Sequence, residues 1–192
     1  MTSFDIYLTG VGGQGIGLLS EVLLRAADAA GYRVVGVDTH GLAQRGGIVV
    51  SRLRLGPDAR SPLIPAGGAD LAVALERHEA LRAIHAALGP GGTLIYYDAV
   101  WQPLPVRTGD APAVTPETVD AAGREAEVVV HRVFSPDLKD ARMQNMALLG
   151  EIHRLDLVPD LGRTHYEAAM ADLMDGERLR RNLAVFNGDE SD

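Results

Sequence analysis

The chain has 192 residues, 46% of them hydrophobic, a formal net charge of −8 at pH 7 and no cysteine. That length supports a sizeable core and predicts one domain over 1–192, with a core at about 4–155 and C-terminal helices at about 164–187. The acidic balance argues against a nucleic-acid surface and the lack of a long apolar run against a membrane span. The absence of thiols excludes disulfides, a cysteine nucleophile and thiolate-held iron–sulfur or zinc sites from the chain itself.

Met1 to Asp5 lead into the first strand with neither a basic region nor an apolar signal core, so a cytoplasmic protein is expected. Ile6, Tyr7 and Leu8 suit a buried strand. Leu19, Val22, Leu23, Ala26 and Ala30 then recur at helical spacing, with Glu21, Arg25 and Asp28 on the opposite side. Between strand and helix, Gly10-Val-Gly-Gly-Gln-Gly15 fits G-x-G-x-x-G, a tight turn that lets a ligand approach the backbone and presents helix N–H groups to an anion. Such a turn also arises from close packing alone. A second strand over Arg33–Val37 reaches Asp38, where a ribose-binding acid would stand, and this opens the reading of a self-sufficient NAD(P)-binding protein using Gly10, Gly12, Gly15 and Asp38.

His40-Gly-Leu-Ala-Gln-Arg-Gly-Gly47 is an unusually polar, glycine-rich connection, of the kind more often functional than neutral. In the strand Ile48–Leu55, alternation puts Val49, Ser51, Leu53 and Leu55 on one face. Ile48, Val50, Arg52 and Arg54 take the other, and the arginines there are expected to be solvated or to meet a partner. After a turn at Gly56-Pro57-Asp58 and an extended Ser61–Pro65, a fourth strand covers Ala69–Leu75 and Glu76 leads into a helix. Gly89-Pro90-Gly91-Gly92 is expected to stop that helix before a strand at Thr93–Tyr97. The alternation predicts an α/β, Rossmann-like domain with a mostly parallel sheet, helices on both faces, a C-terminal helical extension and ligands near the carboxyl ends of the strands.

Asp98 to Pro116 reads as an extended excursion in which Trp101, the sole tryptophan, either pins the segment to the body or docks into a partner. A short helix is expected at Glu117–Ala122, a last strand at Glu127–Phe134, and a long helix after Ser135 and Asp137. Asn145 on that helix is expected to satisfy nearby backbone. Thr164 and Glu167 read as a capping box, with a further helix from about Glu177 to Phe186. The six histidines are scattered, so no metal site is expected, and neither the G-x-x-x-x-G-K-[ST] phosphate loop nor a Gly-Asp-Gly thiamine pattern is present.

Gly10–Gly15, His40–Gly47, Ser61–Pro65, Ala69-Asp-Leu with Leu75-Glu76, and Asn145-Met-Ala-Leu-Leu-Gly150 together resemble the gamma-type domain of 2-oxoacid:ferredoxin oxidoreductases, from about Phe4 to Gly150. The free-standing length and the His40–Gly47 segment resemble in particular the beta subunits of indolepyruvate:ferredoxin oxidoreductases. The resemblance implies oxidative decarboxylation of an arylpyruvate to an aryl-acetyl-CoA, with electrons passed to ferredoxin. It implies a large alpha-type partner subunit, in a heterodimer or a dimer of heterodimers, that holds thiamine diphosphate, Mg2+ and the iron–sulfur clusters. No catalytic residue is assigned to this chain alone, with His40, Gln44 and Arg45 as possible contributors. Gly12, Gly13, Gln14, Gly15, Arg45 and Gly46 are candidates for contacting coenzyme A or lining a shared cleft. Arg45 suits an anion because its planar fork pairs two oxygens, and it suits an interface equally. A scaffold subunit with no part in the site is the remaining alternative.

Overall fold

The computed structural model describes residues 3–39, 47–101, 106, 108–109, 112–138 and 140–189. Strand β1 (Phe4–Val11) runs through the glycine turn into helix α1 (Ile16–Ala29), and β2 (Val34–Thr39) and β3 (Ile48–Leu55) follow. Next come β4 (Ala69–Ala74), α2 (Arg77–Ala86) and β5 (Leu88–Tyr97), then α3 (Pro116–Glu125) and β6 (Val129–Val133). A 3-10 turn (Ala141–Met143) leads into α4 (Gln144–Arg154), α5 (Arg163–Leu173) and α6 (Gly176–Asn187).

The strands form one sheet of order β2-β3-β1-β4-β5-β6. β1, β4, β5 and β6 pair in parallel, whereas β3 runs antiparallel to both β1 and β2. The expected mostly parallel sheet is therefore present, with one reversed strand inserted where a simple doubly wound sheet would seat β2 against β1.

Alternation along the buried strands feeds two cores. Ile6 and Leu8 of β1, Leu71 and Val73 of β4, and Ile95 of β5 face α1 and the C-terminal helices, where Leu19, Val22, Leu23, Met146, Leu149, Ile152 and Met170 are buried. Tyr7, Ala72, Ala74, Leu94 and Tyr96 face α2 and α3. Alanines on the second face of β4 leave room for α2, whose Ala80, Ala83 and Ile84 pack there. The alternation read for β3 holds, with Ser51, Leu53 and Leu55 buried and Ile48 exposed.

Several boundaries differ from the sequence reading. The glycines at 89–92 do not precede β5 but lie within it, because its pairing with β4 carries an irregularity between Ala69 and Leu71. α3 starts at Pro116 and runs to Glu125, capped by Thr115, which accepts from the Thr118 N–H. The last strand begins later than Glu127, which takes φ 56°. The long helix expected after Ser135 and Asp137 is preceded by a 3-10 turn capped by Asp140, which accepts from the Arg142 N–H. α5 begins at Arg163, so Thr164 lies inside the helix; the Gly162 N–H donates to His165 Nδ1 (3.1 Å) in place of a Thr164–Glu167 box. The C-terminal helices are held by a cluster of His153, Tyr166 and Phe186, with ring centroids 5.6–5.7 Å apart. Among the described residues no helix is long and apolar enough to cross a membrane.

Candidate functional site at the carboxyl end of the sheet

β1 ends in a turn whose shape is set from inside. The Val11 N–H donates to Gln14 Oε1 (2.7 Å), and Gln14 Nε2 donates to the Leu75 carbonyl (3.2 Å), so one buried amide ties the glycine turn to the end of β4. The Gly12 N–H donates to the Gly47 carbonyl (2.8 Å), which fixes the start of β3 beside the turn. Gly15 sits at φ 83°, and a Cβ there would stand 2.5 Å from Asn145 Nδ2. Glycine is thus required both for the backbone angle and for the close approach. Asn145 Nδ2 donates to the Gly15 carbonyl (3.2 Å) and its Oδ1 accepts from the Met146 N–H, the structural role expected from sequence. No side chain caps α1 and no acidic residue stands in its first turn, so its N–H groups are oriented to meet an anion.

Next to the turn, the β4–α2 junction buries two carboxylates. Glu76 caps α2, accepting from the N–H groups of His78 (3.0 Å) and Glu79 (2.6 Å), and lies 3.2 Å from His78 Nδ1. Glu79 accepts from Thr9 Oγ1 (2.7 Å) and from Arg82 Nε (3.1 Å), joining α2 to β1 two residues before Val11. Burial pushes the Glu79 carboxyl up, and its bonds to Thr9 and Arg82 offset only part of that shift.

A third buried carboxylate closes the far side. Asp98, just past β5, is gripped by Arg77 from the first turn of α2 and by Arg132 of β6. Burial alone would raise its pKa, yet the two guanidinium groups hold it below the usual carboxylate range. The backbone reinforces the grip: the Asp98 N–H donates to the Val133 carbonyl (2.7 Å) and the Arg77 N–H to the Ala99 carbonyl (3.1 Å). Nearby, burial first and the Asp98 charge second push the Tyr96 phenol up to about 12.

The structure brings Gly12, Gly13, Gln14 and Gly15 together at this end, but Gln14 spends its amide on the chain's own backbone. His40, Gln44, Arg45 and Gly46 lie outside the described residues. Asp38 does not stand where a ribose-binding acid would: its carboxylate accepts from Ser20 and Ser51, and β3 separates its strand from β1. Arg54 is not simply solvated; it pairs with Asp5 at 2.8 Å, while Arg52 lies over the Tyr7 ring at 5.5 Å. The Glu79–Thr9 bond and the Asp98 clasp escaped the sequence reading because their partners are distant in the chain, whereas Glu76 bonds to its near neighbours at the start of α2. The one local signal was acidic residues at the ends of β4 and β5. No cysteine exists to ligate an iron–sulfur cluster, and among the described residues no group of three or more histidine, aspartate or glutamate side chains could hold a metal.

The family model described as pyruvate ferredoxin/flavodoxin oxidoreductase matches residues 5–188. The chain belongs to this oxidoreductase family. The indolepyruvate oxidoreductase subunit IorB of Archaeoglobus fulgidus is 55% identical over 78 residues, covering 41% of this chain and 38% of that protein. The subunit of the same name from Thermococcus kodakarensis is 41% identical over 105 residues, 55% of this chain and 50% of that protein. The matched segments thus span half or less of these curated relatives. Solved oxidoreductase structures share the fold. A keto/oxoacid ferredoxin oxidoreductase gamma subunit from Geobacter sulfurreducens superposes with a TM-score of 0.64 at 19% identity, covering 97% of this chain and 96% of that one. A 2-oxoglutarate:ferredoxin oxidoreductase chain from Magnetococcus marinus, solved with 2-oxoglutarate, coenzyme A and succinyl-CoA, gives 0.65 at 18% identity. There the fold covers 99% of this chain but 31% of the longer one.

Proposed function

We propose that this chain is the small subunit of a cytoplasmic arylpyruvate:ferredoxin oxidoreductase, with indolepyruvate its favoured substrate, inactive alone and completing a reaction chamber formed with a larger subunit. In the overall reaction the 2-oxoacid loses CO2, its acyl carbon becomes the thioester of coenzyme A, and two electrons pass to ferredoxin. Thiamine diphosphate with Mg2+ and the iron–sulfur clusters, held by the larger subunit, supply the decarboxylation chemistry and the electron route. The observation that carries this reading is a family match over residues 5–188 in a chain that has no cysteine of its own. The names of the IorB relatives favour indolepyruvate.

This chain's own part is to bind and enclose. The glycine turn and the uncapped first turn of α1 offer N–H groups to an anionic group of coenzyme A or of the shared cleft. In the sequence after β2 we assign Arg45 the charged fork that would meet the anion, with His40 and Gln44 as its companions. The carboxyl edge, rather than a nucleotide held within this chain, is the working surface, and the placement of Asp38 disfavours the self-sufficient NAD(P) reading.

Co-expression with the larger subunit and purification test the proposal. The expected result is an iron-containing complex that turns over arylpyruvate with coenzyme A and ferredoxin, while the isolated chain is inert. Arg45→Ala should lower turnover and leave the complex assembled. Activity or NAD binding by the chain alone would overturn the reading, and an unaffected Arg45→Ala complex would reduce the chain to a scaffold.

A further inference from the structure

Among the described residues six large apolar side chains stand exposed, and four of them, Ile48, Val100, Trp101 and Phe134, lie at the carboxyl end of the sheet. Three of these crowd its β5–β6 side. Val100 and Trp101 follow β5, Phe134 follows β6, and the Asp98–Val133 backbone bond sets the roots of the two segments side by side. Trp101 is 50% exposed and Phe134 58%. A tryptophan and a phenylalanine kept in water on neighbouring strand ends are out of keeping with a surface meant only for solvent.

Their support is rigid. Asp98 is clamped between Arg77 and Arg132, the Ala99 N–H donates to the Tyr97 carbonyl (2.8 Å), and Tyr97 Oη donates to the Ser135 carbonyl (3.3 Å). Both apolar segments therefore leave from a fixed base, so little ordering cost remains when they are covered. Exposed tryptophan and phenylalanine side chains are of the kind enriched at interface centres.

We infer that Trp101 and Phe134, seated on the Asp98 clasp, form the principal docking anchor of this chain and insert into an apolar pocket of the larger subunit. The inference rests on the reading above that such a subunit exists; Arg77 links the Asp98 clasp to the start of α2, and the preceding Leu75 carbonyl accepts from Gln14, so the anchor is joined along one edge to the turn proposed to line the shared chamber. A second copy of the chain is the weaker occupant, because two bodies each of net charge −8 repel one another.

The test compares co-purified complexes of wild type, the Trp101→Ala/Phe134→Ala double variant and a Leu63→Ala control, which removes the most exposed large apolar side chain among the described residues. Dissociation constants for the larger subunit are measured by titration, with thermal unfolding of each free chain to verify its fold. The double variant should bind at least about tenfold more weakly with unchanged unfolding, and the control should bind like wild type. If wild type binds the larger subunit and the double variant binds as tightly, the anchor is refuted while the functional reading stands. If the double substitution alters only self-association of the free chain, the patch serves a second copy and the inference falls. If wild type binds no larger subunit, both fall.

Discussion

The two sides of the carboxyl edge are built from opposite materials. Among the described residues the β3–β1 side is mostly backbone: glycines, an uncapped helix start, and Gln14 turned inward to brace them, with Ile48 the one large apolar side chain exposed there. On the β5–β6 side the surface is side chain: a buried carboxylate between two arginines carries exposed Val100, Trp101 and Phe134. A backbone surface suits close approach of a small anion. A side-chain surface with a fixed base suits a protein partner. Under the proposed function the difference assigns chemistry to one side of the edge and assembly to the other, and substitutions on each side should separate the two.

The sharpest break is at the clasp. Asp98→Ala leaves Arg77 largely buried without its carboxylate and should cost about 3 kcal/mol of stability, read by urea unfolding, and weaken assembly as well. On the other side, Gly15→Ala forces a positive φ on an alanine and drives its Cβ against Asn145. We expect a loss of about 2 kcal/mol, with turnover of the complex falling more than its assembly. Gln14→Ala strands the Val11 N–H and should cost about 1–2 kcal/mol in the same measurement, again with assembly retained.

The smallest effect concerns pH. The Glu79 carboxyl holds its proton more tightly folded than unfolded. Its contribution is therefore complete below the ordinary carboxylate range and is lost as pH rises through its raised folded value. Asp98 behaves in reverse: its contribution is present above the ordinary aspartate range and is lost as pH falls through its lowered folded value. Subtracting the stability–pH curve of Glu79→Gln from that of wild type should leave a difference that declines with rising pH between the two Glu79 values. A flat difference would show that burial does not govern this group.

Local pattern reveals much of this molecule and long-range pairing reveals little of it. The glycine turn, α1, the faces of β3 and the inward role of Asn145 are legible because each depends on spacing within a few residues or on one residue's preferred environment. The position of β3 between β1 and β2 is not, since strand order depends on contacts between segments that spacing does not encode. Arg77, Asp98 and Arg132 are likewise joined by topology rather than by proximity in the chain. At 162–167 the Thr164–Glu167 spacing reads as a capping box, and the structure uses a different pair. The helix began early enough that His165, not Glu167, reached back to the first free N–H.

β2 and β3 are consecutive and antiparallel, so Thr39 and Gly47 stand at the same rim of the sheet. The ladder from Val34–Leu55 to Thr39–Val50 is carried by residues of the two strands alone, so the pairing that seats β2 at the margin of the sheet is internal to that pair.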